Sequence, residues 1–219
     1  MNSPMLQLLV LAGIAVFLIL RLRNVLGTRE GFEKPPAVDQ APAKRKGPAF
    51  EVIEGGPDLD ITDHFPEDSD QGKALAAMKR LEPSFNVGDF LSGARGAYEM
   101  IVMGYERGDL AEIQPLLSEE IYESFVDGVA AREDQGLTIE ANFIGVRELE
   151  LEDATLDPDT NEAEVTMRFV AELNSAVRDK AGDIIEGSTT EIKRQKDTWV
   201  FARIMGSDDP NWLLVSTDG

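Results

Sequence analysis

The hydrophobic period of this chain changes once, at Gly136, and that change restricts the fold more than any other feature. Before it, apolar residues recur every three or four positions: Leu91, Ala94, Tyr98, Ile101, Val102 and Tyr105, then Ile121, Phe125 and Val129. That spacing puts each set on one face of a helix. After it, apolar residues alternate: Leu137, Ile139, Ala141 and Phe143; Val165, Met167, Phe169, Ala171 and Leu173; and Trp199, Phe201 and Arg203 against Val200, Ala202 and Ile204. Alternation puts each set on one face of a strand. Helices first, then half-covered strands, predict an α+β domain with N-terminal helices packed on an antiparallel sheet.

Local signals mark the boundaries. Asn86 is placed to cap the longest helix, with Asp89 in its first turn and Phe85 and Phe90 at the two staple positions. Gly93 and Gly96 each cost about 1 kcal/mol inside a helix and read as places where another backbone crosses closely. Gly108 and Asp109 end the helix, and a short one follows through Leu110, Ile113, Leu116 and Leu117. Ser118 caps the next, with Glu119 and Glu120 suited to its first turn and Leu117 and Tyr122 as a second staple. A weaker amphipathic helix, Lys73 to Leu81, precedes them all. Turn-rich segments, Asp157 to Asn161 and Asp179 to Asp183, separate the strands.

The N-terminal 26 residues read differently. Met5 to Leu20 is apolar except for Gln7; 16 residues of helix extend about 24 Å, short of a hydrocarbon core of about 30 Å. Leu22, Val25 and Leu26 close the gap while Arg21 and Arg23 reach back to the interface. Residues 1–26 are therefore expected to form one transmembrane helix. Met1 to Pro4 carries no charged side chain, unlike the basic start of a cleavable signal peptide. Arg21, Arg23 and Arg29 all follow the apolar core, so the bias of basic residues toward the cytoplasm puts the N-terminus outside and the C-terminal domain in the cytoplasm. Residues 27–71 read as a flexible linker: from Gly31 to Gln71 prolines are scattered through polar and acidic sequence with no sustained period. About 40 such residues reach ~35 Å. Residues 72–219 make up the domain.

Charge and composition narrow the function. The chain carries a net charge of −20, with seven Lys/Arg against three Asp/Glu in residues 1–50. The rest is strongly anionic, which sets it against phosphate backbones and excludes nucleic acid as a partner. Lys34, Lys44, Arg45 and Lys46 read as a solvated basic flank that enforces topology. There is no cysteine, so disulfides, thiolate metal sites and a cysteine nucleophile are excluded.

No residue set signals catalysis, a cofactor or a metal. His64, the only histidine, lies among Asp58, Asp60 and Asp63 in the linker, without the rigid nitrogen or sulfur ligands that zinc takes. Asp157, Asp159 and Asn161 imitate the start of a calcium loop, but Glu162 stands where glycine is needed and Arg168 where the bidentate glutamate belongs. There is no phosphate-cradling glycine loop and no nucleophile elbow. A pocket enzyme would need a buried carboxyl group facing a tyrosine; Glu99, beside Tyr98, and Glu172 are the nearest candidates. Tyr98, Phe143, Met167, Phe169, Trp199 and Phe201 form a core set, part of which would line a pocket for a peptide or an acyl chain.

The run from Leu81 to Phe125 resembles the C-terminal domain of the Tim44 family. The resemblance rests on Pro83 and Phe85, Phe90-Leu91 with Gly93-Ala94, Ala97-Tyr98-Glu99, Ile101-Val102 and Gly108-Asp109. It continues at Trp199-Val200-Phe201 with Arg203, and at Asp209-Pro210-Asn211-Trp212 with Leu214. Leu26-Gly27, Arg29, Gly31 and Glu33 look like the juxtamembrane signature of bacterial members. The resemblance implies a cone of helices over a curved sheet of about four strands, similar to the nuclear-transport-factor-two group, with an apolar pocket between them. It also implies a non-catalytic adaptor in a bacterial-type inner membrane. Its partners would be a translocase and a seventy-kilodalton heat-shock chaperone with its J-domain helper. A lipid-binding or small-molecule-binding cone protein, a pocket enzyme and a cell-envelope scaffold are the alternatives. The mitochondrial protein is peripheral and meets lipid through amphipathic helices; here a span takes their place.

Overall fold

The structure, a computed structural model, describes residues 56–218. The apolar run Met5–Leu20, the arginines Arg21, Arg23 and Arg29 and the linker as far as residue 55 lie outside the described residues. Among the described residues no helix is long and apolar enough to cross a membrane.

The helices are α1 (Leu59–Thr62), α2 (Asp70–Leu81), α3 (Val87–Arg107), α4 (Leu110–Ile113) and α5 (Glu119–Gln135), with a 3₁₀ turn at Gln114–Leu116. Strands β1 (Thr138–Leu156), β2 (Glu162–Arg178), β3 (Ile184–Ile204) and β4 (Leu213–Asp218) follow. They form one antiparallel meander in the order β1-β2-β3-β4, giving the expected α+β class. The β1–β2 register shifts at Phe143/Gly145, Val146/Glu148 and Leu151/Asp153 are bulge-type irregularities of the kind that bend and twist long strands. Val165, Met167, Phe169, Ala171 and Leu173 of β2 are buried together, as the alternation requires. Against them pack Leu75 and Met78 of α2 and Tyr98 and Ile101 of α3 in one core.

The helix ends follow their capping chemistry. Asn86 Oδ1 accepts the Asp89 amide at 3.0 Å, and the Phe85 and Phe90 rings flank that cap 6.5 Å apart. Gly108 (φ 74°) and Gly136 (φ 68°) close α3 and α5 in the left-handed region that a side chain disfavours.

In three places the structure departs from the sequence reading. The end of the assigned linker is folded: Ile61 is 3% exposed, and Asp60 accepts the Val87 and Gly88 amides at 2.8 and 3.1 Å. Lys79 Nζ lies 2.7 Å from both Asp58 and Asp60, so these acids serve a helix start and a lysine. A four-residue helix is too short to show a period, and its stability comes from tertiary contacts. Second, α2 begins at Asp70 rather than Lys73, because Ser69 Oγ caps it through the Gly72 amide at 3.0 Å. Third, Gly93 and Gly96 admit no close crossing, since a Cβ at either would meet nothing within 4 Å. The tight contact is at Gly104, where a Cβ would stand 2.6 Å from Ile113 Cγ2.

The segment Asp157–Asn161 is the β1–β2 turn, with Asp157 Oδ1 accepting the Asp159 and Thr160 amides at 2.7 and 3.3 Å. Among the described residues no group of three or more His, Asp or Glu gathers as metal ligands would.

Candidate functional site: an aromatic cleft at the start of the long helix

A cleft of about 320 Å³ opens beside the N-terminal half of α3. Its aromatic walls come from distant parts of the chain: Phe85 precedes α3, Phe90 lies in its first turn, Phe201 is on β3, and Trp212 is the last residue of the β3–β4 loop. The Phe90 and Trp212 rings meet edge to face at 4.8 Å; Phe85 lies 5.9 Å from Trp212 and Phe90 6.1 Å from Phe201. Such tilted pairs suit the ring quadrupole. Small residues on α3, Gly93, Ala94 and Ala97, leave the cleft open. Trp212 is presented by a local turn, in which Asp209 Oδ1 accepts the Asn211 amide at 2.9 Å.

One ion pair closes the side of the cleft. Arg203 donates from Nη1 and Nη2 to the two oxygens of Glu82, at 3.1 and 2.8 Å, and from Nε to the Asp209 carbonyl at 3.0 Å. Burial pushes the Glu82 carboxyl up, but the Arg203 hydrogen bonds, the Gly206 amide and the Arg203 charge together hold it below the usual glutamate range. The pair is satisfied internally, so the cleft offers apolar area and no free charge from it.

The six residues expected to form core and pocket lining are distributed between the two roles. Tyr98 stacks on Phe169 at 4.3 Å and 14°, tilts against Trp199 at 4.6 Å and approaches Phe143 at 6.1 Å. Met167 is fully buried and Phe143 half-buried. Phe201 reaches the aromatic cleft, and Trp199 reaches a second concavity at the other half of α3.

Neither carboxyl group nominated to face Tyr98 does so. Glu99 is exposed on α3. Glu172 points to the opposite face of β2 from Ala171 and Leu173, where Arg147 (2.6 Å) and Arg194 (3.1 Å) hold its carboxyl low. The partner is Asp197, which is 8% exposed and accepts the Tyr98 hydroxyl. Burial first, and this hydrogen bond second, push the Tyr98 hydroxyl well above the usual tyrosine range. The sequence carried the signal: the alternation that turns Trp199 and Phe201 inward turns Asp197, two residues earlier, inward too.

Residues 71–219 match the family model described as the Tim44-like domain. A curated relative, mitochondrial import inner membrane translocase subunit TIM44-1 of Arabidopsis thaliana, is 20% identical over 161 residues, covering 71% of this chain and 34% of the relative. The chain thus spans about a third of that relative's length. The crystal structure of the intermembrane space region of chloroplast protein ARC6 aligns at 14% identity over 66% of this chain and 94% of its own, with a TM-score of 0.34. The family match runs through every helix and strand from α2 to β4, and this chain belongs to the Tim44-like domain family.

Proposed function

We propose that this protein is a non-catalytic, membrane-tethered adaptor whose acidic domain docks an apolar side chain of a protein partner in the aromatic cleft. The observation that carries this reading is the cleft itself: Phe85, Phe90, Phe201 and Trp212 surround open space whose one ion pair is already satisfied. Tryptophan is among the residues that most often dominate the binding energy of protein interfaces, and of these four rings Trp212 alone is half-buried, the other three being buried. The translocase named in the relative supports a translocase as the partner; a seventy-kilodalton heat-shock chaperone with its J-domain helper is the further partner that the family resemblance implies. On this reading residues 1–26 anchor the chain in a bacterial-type inner membrane, N-terminus out. The linker then confines the domain to a layer a few nanometres deep, raising the effective concentration for weak encounters.

A second reading, a proton-transfer enzyme, is favoured by the buried Asp197–Tyr98 pair. Against it, the Tyr98 hydroxyl already donates to Asp197 and holds its proton more tightly than a free tyrosine, so it is poorly placed to polarise a substrate carbonyl.

A photoreactive amino acid at Gly93, which faces the cleft with room for a side chain, tests the proposal in intact cells. The expected crosslinks are to a translocase or chaperone component, lost in a Trp212→Ala background. Crosslinks to envelope-assembly proteins alone would move the assignment to a scaffold, and no protein crosslink would overturn the docking role.

A further inference from the structure

The second concavity, of about 280 Å³, is lined by the C-terminal half of α3, Phe125 of α5, and parts of β3 and β4. Apart from Tyr105, its titratable lining residues are all acidic: Glu106, Asp197 and Asp218. Phe125, Tyr105 and Trp199 supply aromatic walls, with the Tyr105 and Phe125 rings 4.6 Å apart.

Asp197 is the unusual member. Its Oδ2 receives both donors that reach the carboxyl group, the Tyr98 hydroxyl and Gln195 Nε2, the latter at 2.9 Å. Oδ1 has no hydrogen-bond partner among the described residues. It is also not sealed off, because no fully buried side-chain oxygen or nitrogen among them lacks a partner. Oδ1 thus keeps some contact with solvent, and Asp197 lines the concavity. Water can reach that oxygen, and a donor-bearing cation in the concavity would replace the water with a stronger, charge-assisted hydrogen bond.

The walls favour the same class of ligand. Ring faces attract cations, and the fold already uses one face this way: the Arg132 guanidinium sits 4.5 Å from the Tyr105 ring centre and donates to the Tyr105 carbonyl at 2.6 Å. Three acidic side chains repel an anion, and an apolar ligand would leave Oδ1 unmatched. We propose that this concavity binds the ammonium or guanidinium head of an organic cation, with Asp197 Oδ1 accepting its hydrogen bond and Glu106 and Asp218 contributing charge at the lining. The site is distinct from the aromatic cleft, so the proposal holds or fails independently of the adaptor reading.

The test titrates the full chain in detergent micelles with butylguanidine, butylamine and the neutral isostere butylurea, with affinities read by calorimetry. Butylguanidine or butylamine binds, and butylurea binds at least about tenfold more weakly, because charge-assisted hydrogen bonds are the stronger kind. Asp197→Asn keeps the shape and an acceptor for Tyr98, and weakens cation binding about tenfold or more. In a Trp212→Phe background Trp199 is the only tryptophan, and its emission shifts on titration. A peptide, acetyl-Gly-Arg-Gly-amide, separates the sources: tighter binding than butylguanidine assigns the site to a polypeptide side chain, equal or weaker binding to a free amine. Equal affinity for butylurea and butylguanidine overturns the proposal, as does no binding of any cation. Wild-type affinity in folded Asp197→Asn also overturns it. If that variant does not fold, unchanged affinity in both Glu106→Gln and Asp218→Asn does the same.

Discussion

Glu82 and Arg203 stand 121 residues apart in sequence and meet through two nearly parallel hydrogen bonds of 3.1 and 2.8 Å. The pair joins the end of α2 to the end of β3, and Arg203 also holds the loop that presents Trp212. With side chains only 7% and 21% exposed, it couples the wall of the aromatic cleft to the closure of the fold.

Removing one partner leaves the other charge poorly solvated. Arg203→Ala is expected to lower unfolding free energy by about 2–4 kcal/mol in denaturant titrations, and Arg203→Lys to recover less than half, since an ammonium cannot bond both oxygens in a fork. A loss under 0.5 kcal/mol, on the order of an exposed pair, would show that the pair is solvated.

Acid should weaken the domain through the same group. In Glu82, burial opposes ionisation but Arg203 and the Gly206 amide outweigh it; in Asp60, burial is likewise outweighed by Lys79 and the Val87 and Gly88 amides. Both carboxyls sit lower folded than unfolded, so their stabilisation is complete above their unfolded values of 4.5 and 3.8 and is lost as pH falls through the folded ones. Melting temperature is expected to fall from about pH 5 downward, and to fall less steeply in Glu82→Gln.

Tyr98→Phe leaves Asp197 with Gln195 as its one remaining donor, and should cost about 1–3 kcal/mol by thermal melt. The Tyr98 hydroxyl lies higher folded than its unfolded value of 10.0, so its contribution is full below that value and disappears as pH rises beyond it. In a tyrosinate absorbance titration its ionisation should coincide with unfolding, and Tyr98→Phe should remove that amplitude.

A fragment starting at Gly72 lacks Ile61, the Asp60 cap on α3 and the acids that pair Lys79. It should be at least about 2 kcal/mol less stable than one starting at Gly56, from one buried isoleucine and one lost cap. Equal melting curves would place α1 outside the cooperative unit.

If residues 1–26 anchor the chain as proposed, deleting them is expected to leave the domain folded and to abolish membrane association and the partner crosslinks from Gly93. Full complementation by the truncated chain at native abundance would separate function from tethering.

The elements were legible because their signals are local. The change of period at Gly136, the Asn86 cap and its Phe85–Phe90 staple each depend on neighbours a few residues away, and each appears where the spacing puts it. Segment 58–65 was not legible, because Asp60 and Ile61 acquire their roles from Val87, Lys79 and the core, which no local pattern announces. Gly93 shows the same limit from the other side: its helical position was clear, but whether space or backbone lay above it was not.

The sequence by itself determined the long helices and the change to strands after Gly136, which face of each is apolar, and the family to which the chain belongs. Tertiary structure alone decided which charged residues share the buried faces and whom they meet. Alternation turned Asp197 and Arg203 inward, but Tyr98 and Glu82 became their partners only when the curved sheet closed over α3 and the end of α2. Periodicity depends on backbone geometry repeated along the chain, whereas a buried charge is settled by the one distant group within hydrogen-bonding reach.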